Sequence, residues 1–404
     1  MSATVPVRPD KSRCRRSRAR SASVILVLAV AVAAWTFPPM EQSHGLGLGS
    51  PRVSTDPLVA AIQSLAEGYG AAHGQALSCQ EEGASASCGL AGVGHPGPNA
   101  VTAGHASPPA RFGASMVYDK RNGYVVLFGG ETPALENQTW IFSSGHWKNL
   151  SPVHSPPARM YAGMAYDAKD GYVLLFGGYN DSDSTDFSDT WTFASGVWTQ
   201  LNPTTHPPED ALMSMAYDAR DGYVLMYSGM GIGGTFGITW KFVGGQWTEL
   251  TPRTHPNAMY GASMTFDSRD NYVVLFGGRN ATGVYLNETW SFAKGQWTNM
   301  TNGAAPPVRF AAAMTYDAST DTVLLFGGNN GVTNLRDTWS YVGGTWSVVR
   351  TTPAPQARDF ANLVYDPHLG YALLYGGAWF RATWAFSDGN WTRLDTWASP
   401  PAPG

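Results

Sequence analysis

The sequence of 404 residues has few charged residues and few cysteines. Asp, Glu, Lys and Arg together make up only 14% of the chain, whereas an average soluble domain has about 25%. That content excludes a coiled coil, which needs Ala, Glu, Lys, Leu and Arg to dominate. The net charge is only −4 while aromatic residues reach 12%. A disordered chain is excluded, because disorder combines few aromatic residues with high net charge.

Turn-forming and aromatic residues are abundant instead. The chain has 46 Gly, 27 Pro and 15 Trp. Glycine and proline set the backbone angles of tight turns, and aromatic residues are enriched in strands. This composition predicts many short strands, in a chain long enough to bury one large core or two ordinary ones.

The N-terminus has the pattern of an export signal. Residues 1–20 carry seven basic side chains and one acidic one, and an apolar run of 14 residues follows at 24–37. A basic lead and a short apolar segment are typical of a secretory signal peptide, and a membrane span usually needs about 20 residues. Residues 1–37 are predicted to be a signal peptide or, as the alternative, an uncleaved anchor. The protein is expected to be secreted or on the cell surface, with contact to the membrane only through residues 24–37.

The cysteines and sequons agree with export. Cys79 and Cys88 bracket eight residues and can close a small disulfide loop in an oxidising compartment. Two thiols without neighbouring ligands cannot complete a tetrahedral metal site. Candidate glycan acceptors begin seven Asn-x-Ser/Thr triplets, at Asn137, Asn149, Asn180, Asn280, Asn287, Asn299 and Asn390. Within residues 38–106 we predict a short helix, the disulfide loop and a Gly- and Pro-rich linker.

From residue 108 onward one pattern is repeated six times. An aromatic-Asp pair recurs at steps of 48, 51, 49, 50 and 49 residues, beginning with Tyr118-Asp119. A glycine pair comes next in five units, with Ser228-Gly229 in the third, and then a Thr-Trp pair. A second Trp comes seven residues after the first in every unit.

Each unit predicts four strands. In the first unit these are 111–118, 124–128, 139–142 and 147–150, with the second strand apolar and ended by the glycine pair. A glycine stands two residues before the second Trp in all six units. A hairpin turn with positive φ explains that fixed place.

A period near fifty with four strands, a double glycine and paired aromatic residues resembles the kelch repeat, which builds β-propeller blades. The resemblance covers residues 107–396 and implies an all-β, six-bladed propeller of four-stranded blades, with a tail at 397–404. The sequence leaves open whether residues before 107 lend a strand that closes the ring.

Length varies in only one place of the repeat. The distance from the last glycine to the Trp of Thr-Trp is 10, 13, 11, 12, 11 and 7 residues, while the other spacings within a unit are constant. Binding loops tolerate insertions and scaffolds do not. The face that carries these loops is therefore the candidate site. Its aromatic candidates are Tyr179, Phe187, Phe236, Tyr285, Trp379 and Phe380, accompanied by Arg279, Arg336 and Arg381. They either contact a ligand or cap the blades hydrophobically.

A second candidate set lies seven residues before each aromatic residue of the aromatic-Asp pairs. It consists of Arg111, Arg159, Asp210, Met259, Arg309 and Arg358. Four arginines at a channel mouth would form a cationic ring for carboxylates, and the kelch resemblance implies such a use for acidic peptides. The alternative is a structural role on neighbouring carbonyl groups.

The function predicted from these patterns is binding of a protein or a glycan by a monomer, without a cofactor. The alternative is a carbohydrate-active enzyme, for which Asp210 and Asp359 are the acids at or beside the starts of the first strands. The copper chemistry of galactose oxidase is excluded because residues 108–404 contain no Cys. No basic stripe for nucleic acid is present. The loop at 181–189 holds four Asp and is either a calcium site or solvated. The six Asp of the aromatic-Asp pairs are expected to serve turns on the opposite face.

Overall fold

The computed structural model describes residues 77–82, 85–90, 107–150, 152–231 and 233–394. The predicted signal, the short helix and the tail lie outside these residues. The chain divides into two compact units at residue 104. Over the described ranges, no helix has the length and apolar character needed to cross a membrane.

The first unit contains a β-hairpin. Its strands, Leu77–Glu82 and Ser85–Leu90, pair antiparallel, and the register sets Cys79 directly opposite Cys88. Directly opposite residues of an antiparallel pair have Cα atoms about 4.5–5.5 Å apart, which is within the range that a disulfide spans. The backbone is therefore compatible with the predicted disulfide.

The second unit contains six four-stranded antiparallel sheets, the blades, and two two-stranded sheets, which pair Tyr179–Asn180 with Thr185–Asp186 and Met259–Tyr260 with Arg279–Asn280. In blades 1 to 3 the strands are Ser115–Asp119, Tyr124–Phe128, Thr139–Ser143 and His146–Asn149; Gly163–Asp167, Tyr172–Phe176, Thr190–Ala194 and Val197–Leu201; Ser214–Asp218, Tyr223–Gly231, Gly234–Val243 and Gln246–Leu250. In blades 4 to 6 they are Ser263–Asp267, Tyr272–Phe276, Thr289–Ala293 and Gln296–Asn299; Ala313–Asp317, Thr322–Phe326, Thr338–Val342 and Thr345–Val349; Ala361–Asp366, Tyr371–Gly376, Trp384–Ser387 and Asn390–Arg393.

The predicted strands and turns are found with one displacement. The first strand of blade 1 was expected from residue 111 but begins at Ser115, because residues 111–113 turn across the end of the blade with Gly113 at φ 66°. The glycine before the second Trp has positive φ in all six blades, and so has the residue before it, as at Ser144 and Gly145. Two positive φ angles define the type I′ hairpin, whose twist suits antiparallel strands.

The ring closes by direct contact of blade 6 with blade 1. Each blade takes all four of its strands from one repeat unit, so closure needs no strand from the N-terminal segment. The first strands of neighbouring blades contact each other all around the axis. At the seam, the Tyr375 hydroxyl donates to the carbonyl of Pro108 at 2.8 Å, and Trp147, Leu127 and Tyr375 share one core.

A repeated hydrogen bond joins every blade to the next. The indole N–H of the second Trp donates to the hydroxyl of the Thr-Trp threonine of the preceding blade, at 2.9–3.0 Å in all six cases. The pairs are Trp147–Thr383, Trp198–Thr139, Trp247–Thr190, Trp297–Thr239, Trp346–Thr289 and Trp391–Thr338. All six threonines are buried. A buried polar pair fixes the relative position of two apolar surfaces, because either group alone would be left unsatisfied.

The glycine pair also serves blade packing. Gly327 has φ 67°, and a Cβ atom there would lie 2.5 Å from the carbonyl oxygen of Arg358 in the next blade. Both the backbone angle and the close approach therefore require glycine at this position. The second strand of blade 5 therefore ends where the backbone that leads into blade 6 approaches it at Arg358.

Candidate functional site

The variable loops and the connections between blades share one face. Short antiparallel bridges join the two kinds of segment, for example Phe112 to Glu131 and Phe310 to Asn329. Met259–Tyr260 likewise pairs with Arg279–Asn280. The segment between the second and third strands of a blade is called the loop of that blade.

The structure buries the four arginines of the predicted cationic ring. Arg111, Arg159, Arg309 and Arg358 are at most 1% exposed. In each case Nη1 donates to the carbonyl of a glycine eighteen residues later, at 2.8–3.0 Å. Nε donates to the carbonyl two residues earlier. The alternative interpretation, a structural role on carbonyl groups, describes these contacts.

Carboxylates at the last loop position before the third strand pair with two of these arginines. Asp337 accepts from both terminal nitrogens of Arg309 at 2.9 Å and from the indole N–H of Trp339 at 2.6 Å. Arg159 and Asp189 make the same pair in blade 2. The expectation of an open ring of arginines at the mouth is therefore corrected, because these guanidinium groups face carbonyls and carboxylates inside the blades.

Blades 3 and 4 depart from the pattern. Asp210, in the place of the arginine, is 2% exposed, and Oδ1 lacks a hydrogen-bond partner among the described residues. Burial raises the pKa of Asp210 to about 8, and the charge of Asp186 adds to that shift. Met259 is fully buried in the corresponding place of blade 4, so an apolar side chain also fills this position.

Two of the predicted loop aromatics cover buried arginines. The guanidinium carbon of Arg159 lies 3.9 Å from the ring centre of Phe187, and that of Arg358 lies 4.5 Å from the centre of Phe380. Phe236 is half-buried and lines a narrow cleft beside Asp210. These aromatics cap blades, which is the second of the two roles foreseen for them.

The other predicted loop residues lie nearer the surface. Tyr179 is half-buried, and its backbone exchanges hydrogen bonds with Met160 at 2.8 and 3.0 Å. Tyr285 lies under the guanidinium of Arg279, whose carbon is 5.2 Å from the ring centre. Trp379 is 44% exposed. Arg336 and Arg381 are exposed as well.

The structure places the predicted Trp379 in an aromatic cluster whose other members the sequence interpretation missed. Its members, which we call the axial cluster, are Phe112, Tyr161, Phe310, Phe360 and Trp379. Ring centres of Phe112 and Phe360 are 4.6 Å apart, and those of Tyr161 and Phe360 are 4.9 Å apart. Trp379 stacks on Phe112 at 5.8 Å with 14° between the planes. Blades 1, 2, 5 and 6 contribute these residues.

Five successive backbone hydrogen bonds link the segments that carry the axial cluster, from blade 1 to blade 6. Tyr161 N donates to Gly113 O, and the same link continues through Leu212, Gly261, Ala311 and Phe360 at 2.8–3.0 Å. Each of these residues has positive φ. Left-handed bulky residues are uncommon and cost about 1–3 kcal/mol each, and these five hydrogen bonds help to hold them in that conformation.

Carboxylates surround one side of the axial cluster. Glu131 and Asp359 are half-buried, and Asp181 is exposed. The pKa of Tyr161 is raised well above its usual value by burial and then by the charges of Glu131, Asp359 and Asp181. Burial and the charge of Asp181 also raise the pKa of Glu131. The charges of these carboxylates therefore act on Tyr161, and that of Asp181 acts on Glu131.

The acids considered for catalysis or calcium are not brought together. Asp210 belongs to blade 3 and Asp359 to blade 6, on opposite sides of the ring. In the 181–189 loop, Asp189 is taken by Arg159. No group of three or more His, Cys, Asp or Glu suited to a metal ion occurs in the described part of the chain. The six Asp of the aromatic-Asp pairs do serve turns: Asp119, for example, accepts from the backbone N–H groups of Arg121 and Asn122.

The fold and these networks define a six-bladed β-propeller whose blades are four-stranded repeats. Residues 235–404 match a family model described as the KLHDC2/KLHL20/DRC7 Kelch-repeats domain. The chain is a kelch-repeat β-propeller protein. Kelch propellers are a general scaffold for protein interaction. No curated protein matches the chain significantly.

Proposed function

We propose that this protein acts outside the cytoplasm as a binding module for a segment of another protein. The axial cluster on the variable-loop face is the contact surface. Binding of a glycan, the second ligand class predicted from the sequence, is one possible outcome of the test. The enzymatic alternative loses support, since Asp210 and Asp359 lie in blades on opposite sides of the ring.

The observation that carries the proposal is Trp379. It is 44% exposed, has φ 62°, and stacks on Phe112. Among the described residues it is the only exposed Phe, Tyr or Trp side chain. Large rigid aromatic side chains at the centre of a face supply most of the binding energy at protein interfaces. A bulky residue kept in a left-handed conformation indicates that its position is selected.

Replacing Trp379 by alanine is expected to weaken binding of a selected peptide by about 30-fold, the loss typical of a central aromatic contact. Peptides are first selected from a random phage-displayed library on the full chain. Their dissociation constants are then measured by calorimetry with the wild type and the variant. A glycan array is screened in parallel with the same two proteins.

Asp388→Asn, in the exposed turn at the opposite end of blade 6, provides the control and should leave binding unchanged. Unchanged peptide affinity in the Trp379 variant would contradict the proposed face. Glycan binding that depends on Trp379, without peptide binding, would replace the protein ligand by a carbohydrate. Thermal unfolding of each variant separates a loss of contact from a loss of fold.

The extracytoplasmic part of the proposal predicts a disulfide between Cys79 and Cys88, which the hairpin register sets opposite each other. The exported chain should lack free thiols at these positions in alkylation followed by mass spectrometry. A chain deleted for residues 1–37 and kept in the cytoplasm should be alkylated at both, because reducing systems keep thiols reduced there. Free thiols in the exported chain would contradict the prediction.

A further inference from the structure

The charges of the variable-loop face are divided between two sides. The loops of blades 1 and 2 hold six acidic side chains and no basic one. They are Glu131, Glu136, Asp181, Asp183, Asp186 and Asp189. The loops of blades 4 to 6 hold three basic and two acidic side chains, and that of blade 3 holds no charge. The mouth is therefore acidic on the side of blades 1 and 2.

Three carboxylates belong to the same backbone segments as the rings of the axial cluster. Glu131 exchanges two backbone hydrogen bonds with Phe112, at 2.8 and 2.9 Å. Asp359 directly precedes Phe360. Asp181 comes directly after the Tyr179–Asn180 strand, which is bonded to the residue before Tyr161. Carboxylates and aromatic rings thus form one surface.

These carboxylates are not neutralised within the propeller. The ion pairs found among the described residues join Arg159 to Asp189, Arg220 to Asp221 and Arg309 to Asp337. None uses Glu131, Asp181 or Asp359. Asp359 accepts a hydrogen bond from the side chain of Asn334, which is neutral and adds no positive charge beside it.

The arginines that would favour an acidic ligand face inward. Each donates to a glycine carbonyl at the end of a second strand. The charge that this side of the mouth offers to a partner is therefore negative, and its apolar area consists of aromatic rings.

We propose that the segment bound at this mouth carries a Lys or Arg next to an aromatic or large apolar residue. This inference rests on the proposed function and specifies the chemistry of its partner. The apolar side chain packs on Trp379 and Phe112, where stacked rings offer area. The basic side chain lies between the Glu131, Asp181 and Asp359 carboxylates and the ring faces, which combines charge pairing with a cation–π contact.

The test uses the peptides selected on the full chain and their charge-reversed counterparts, in which each Lys or Arg is replaced by Glu. Selected peptides should be enriched in Lys or Arg beside Trp, Tyr, Phe or Leu. The double variant Glu131→Gln/Asp181→Asn should weaken binding by about tenfold. Higher salt should weaken wild-type binding more than binding to the double variant, because salt screens exposed charge pairs. Asp388→Asn, which removes one carboxylate charge at the opposite end of blade 6, is the control and should change neither value.

The outcomes separate this inference from the proposed function. Peptides that depend on Trp379 but show no preference for basic residues, or bind the double variant as well as the wild type, would overturn the inference and leave the proposed function standing. Enrichment of acidic peptides would overturn the inference directly. Selected peptides that are indifferent to Trp379, or a selection without enrichment, would overturn both.

Discussion

Replacing Arg309 by alanine is expected to lower the free energy of unfolding by about 3 kcal/mol, because each buried acceptor that loses its donor costs about 1–3 kcal/mol. The Arg309 side chain is fully buried and donates to the carbonyls of Pro307 and Gly327 and to both carboxylate oxygens of Asp337. Alanine leaves all of these acceptors without that donor. Urea unfolding followed by tryptophan fluorescence measures the loss.

Arg336→Ala serves as the matched control. Arg336 precedes Asp337 in the same loop but is exposed, and exposed charges contribute at most about 1 kcal/mol. Its loss should therefore change the free energy of unfolding by less than that amount. Equal effects of the two variants would contradict a structural role for Arg309.

Blade 4 suggests how the arginine can be replaced with less damage. Met259 fills the equivalent position and is fully buried. Arg309→Met combined with Asp337→Asn should therefore recover part of the stability lost in Arg309→Met alone, because the double variant leaves no unpaired carboxylate.

The effect of Arg309 should shrink in acid. Burial alone would raise the pKa of Asp337, but the hydrogen bonds and charge of Arg309 outweigh it and hold that pKa below its usual value. The stability from this pair is thus present above the unfolded-state pKa of 3.8 and is lost as the pH falls through the lower folded-state pKa. The gap between wild type and Arg309→Ala should therefore narrow on acidification.

The buried arginines are unsuitable positions for testing ligand binding. A ligand test with Arg111→Ala or Arg309→Ala alone would confuse loss of a contact with loss of a blade, because both side chains are buried and hydrogen-bonded. Trp379 and Glu131 are better probes, since Trp379 is exposed and Glu131 is only half-buried.

The repeat predicted the fold because each constant spacing in the sequence corresponds to a fixed structural feature of the blade. The constant step of seven between the two Trp of a unit is a type I′ hairpin, and the second Trp bonds to the threonine of the preceding blade, as Trp198 does to Thr139. Fixed positions of this kind can be seen in one sequence, because the chain itself supplies six copies for comparison. How the ring closes could not be predicted from the sequence. The structure shows it at the contact between blades 6 and 1, where the indole N–H of Trp147 donates to the hydroxyl of Thr383.

The centre of the site could not be found in the same way. Its rings come after the arginine position by one residue in Phe112 and Phe310 and by two in Phe360 and Tyr161. This shift hides them from a column-by-column comparison, although an aromatic residue near that position in five of six units is a signal that could have been used. Equally, burial of the arginines depends on carbonyls eighteen residues away, and sequence spacing alone does not give the direction in which a side chain points.

The third repeat unit, which contains Asp210, departs from the pattern at two positions. Arginine is replaced by a carboxylate, and the first glycine of the pair is replaced by Ser228, whose hydroxyl lies within hydrogen-bond distance of the carbonyls of Phe236 and Met259. Gly229 lies against the carboxylate, so that a Cβ atom there would collide with Asp210 Oδ1. No cation lies beside this carboxylate among the described ion pairs, and its burial therefore favours the protonated form.

Asp210→Asn is therefore expected to stabilise the propeller in a pH-dependent way. The folded-state pKa of Asp210 is about 8, against 3.8 for the unfolded chain. Between these values the folded state keeps a proton that the unfolded state has lost, so the free energy of unfolding falls as the pH rises. The variant lacks this dependence. It should match the wild type near pH 3.8 and exceed it by about 3–5 kcal/mol near pH 8.

Denaturant unfolding across this pH range, with Asp388→Asn as an exposed control, measures the difference. The control should track the wild type at every pH. A constant difference between Asp210→Asn and the wild type would contradict the argument, because a carboxylate without a cost of ionisation must be solvated. Such a result would mean that the cleft lined by Phe236 and Ser228 opens to water in solution, and that blade 3 moves in a way that the blades with arginine at this position do not.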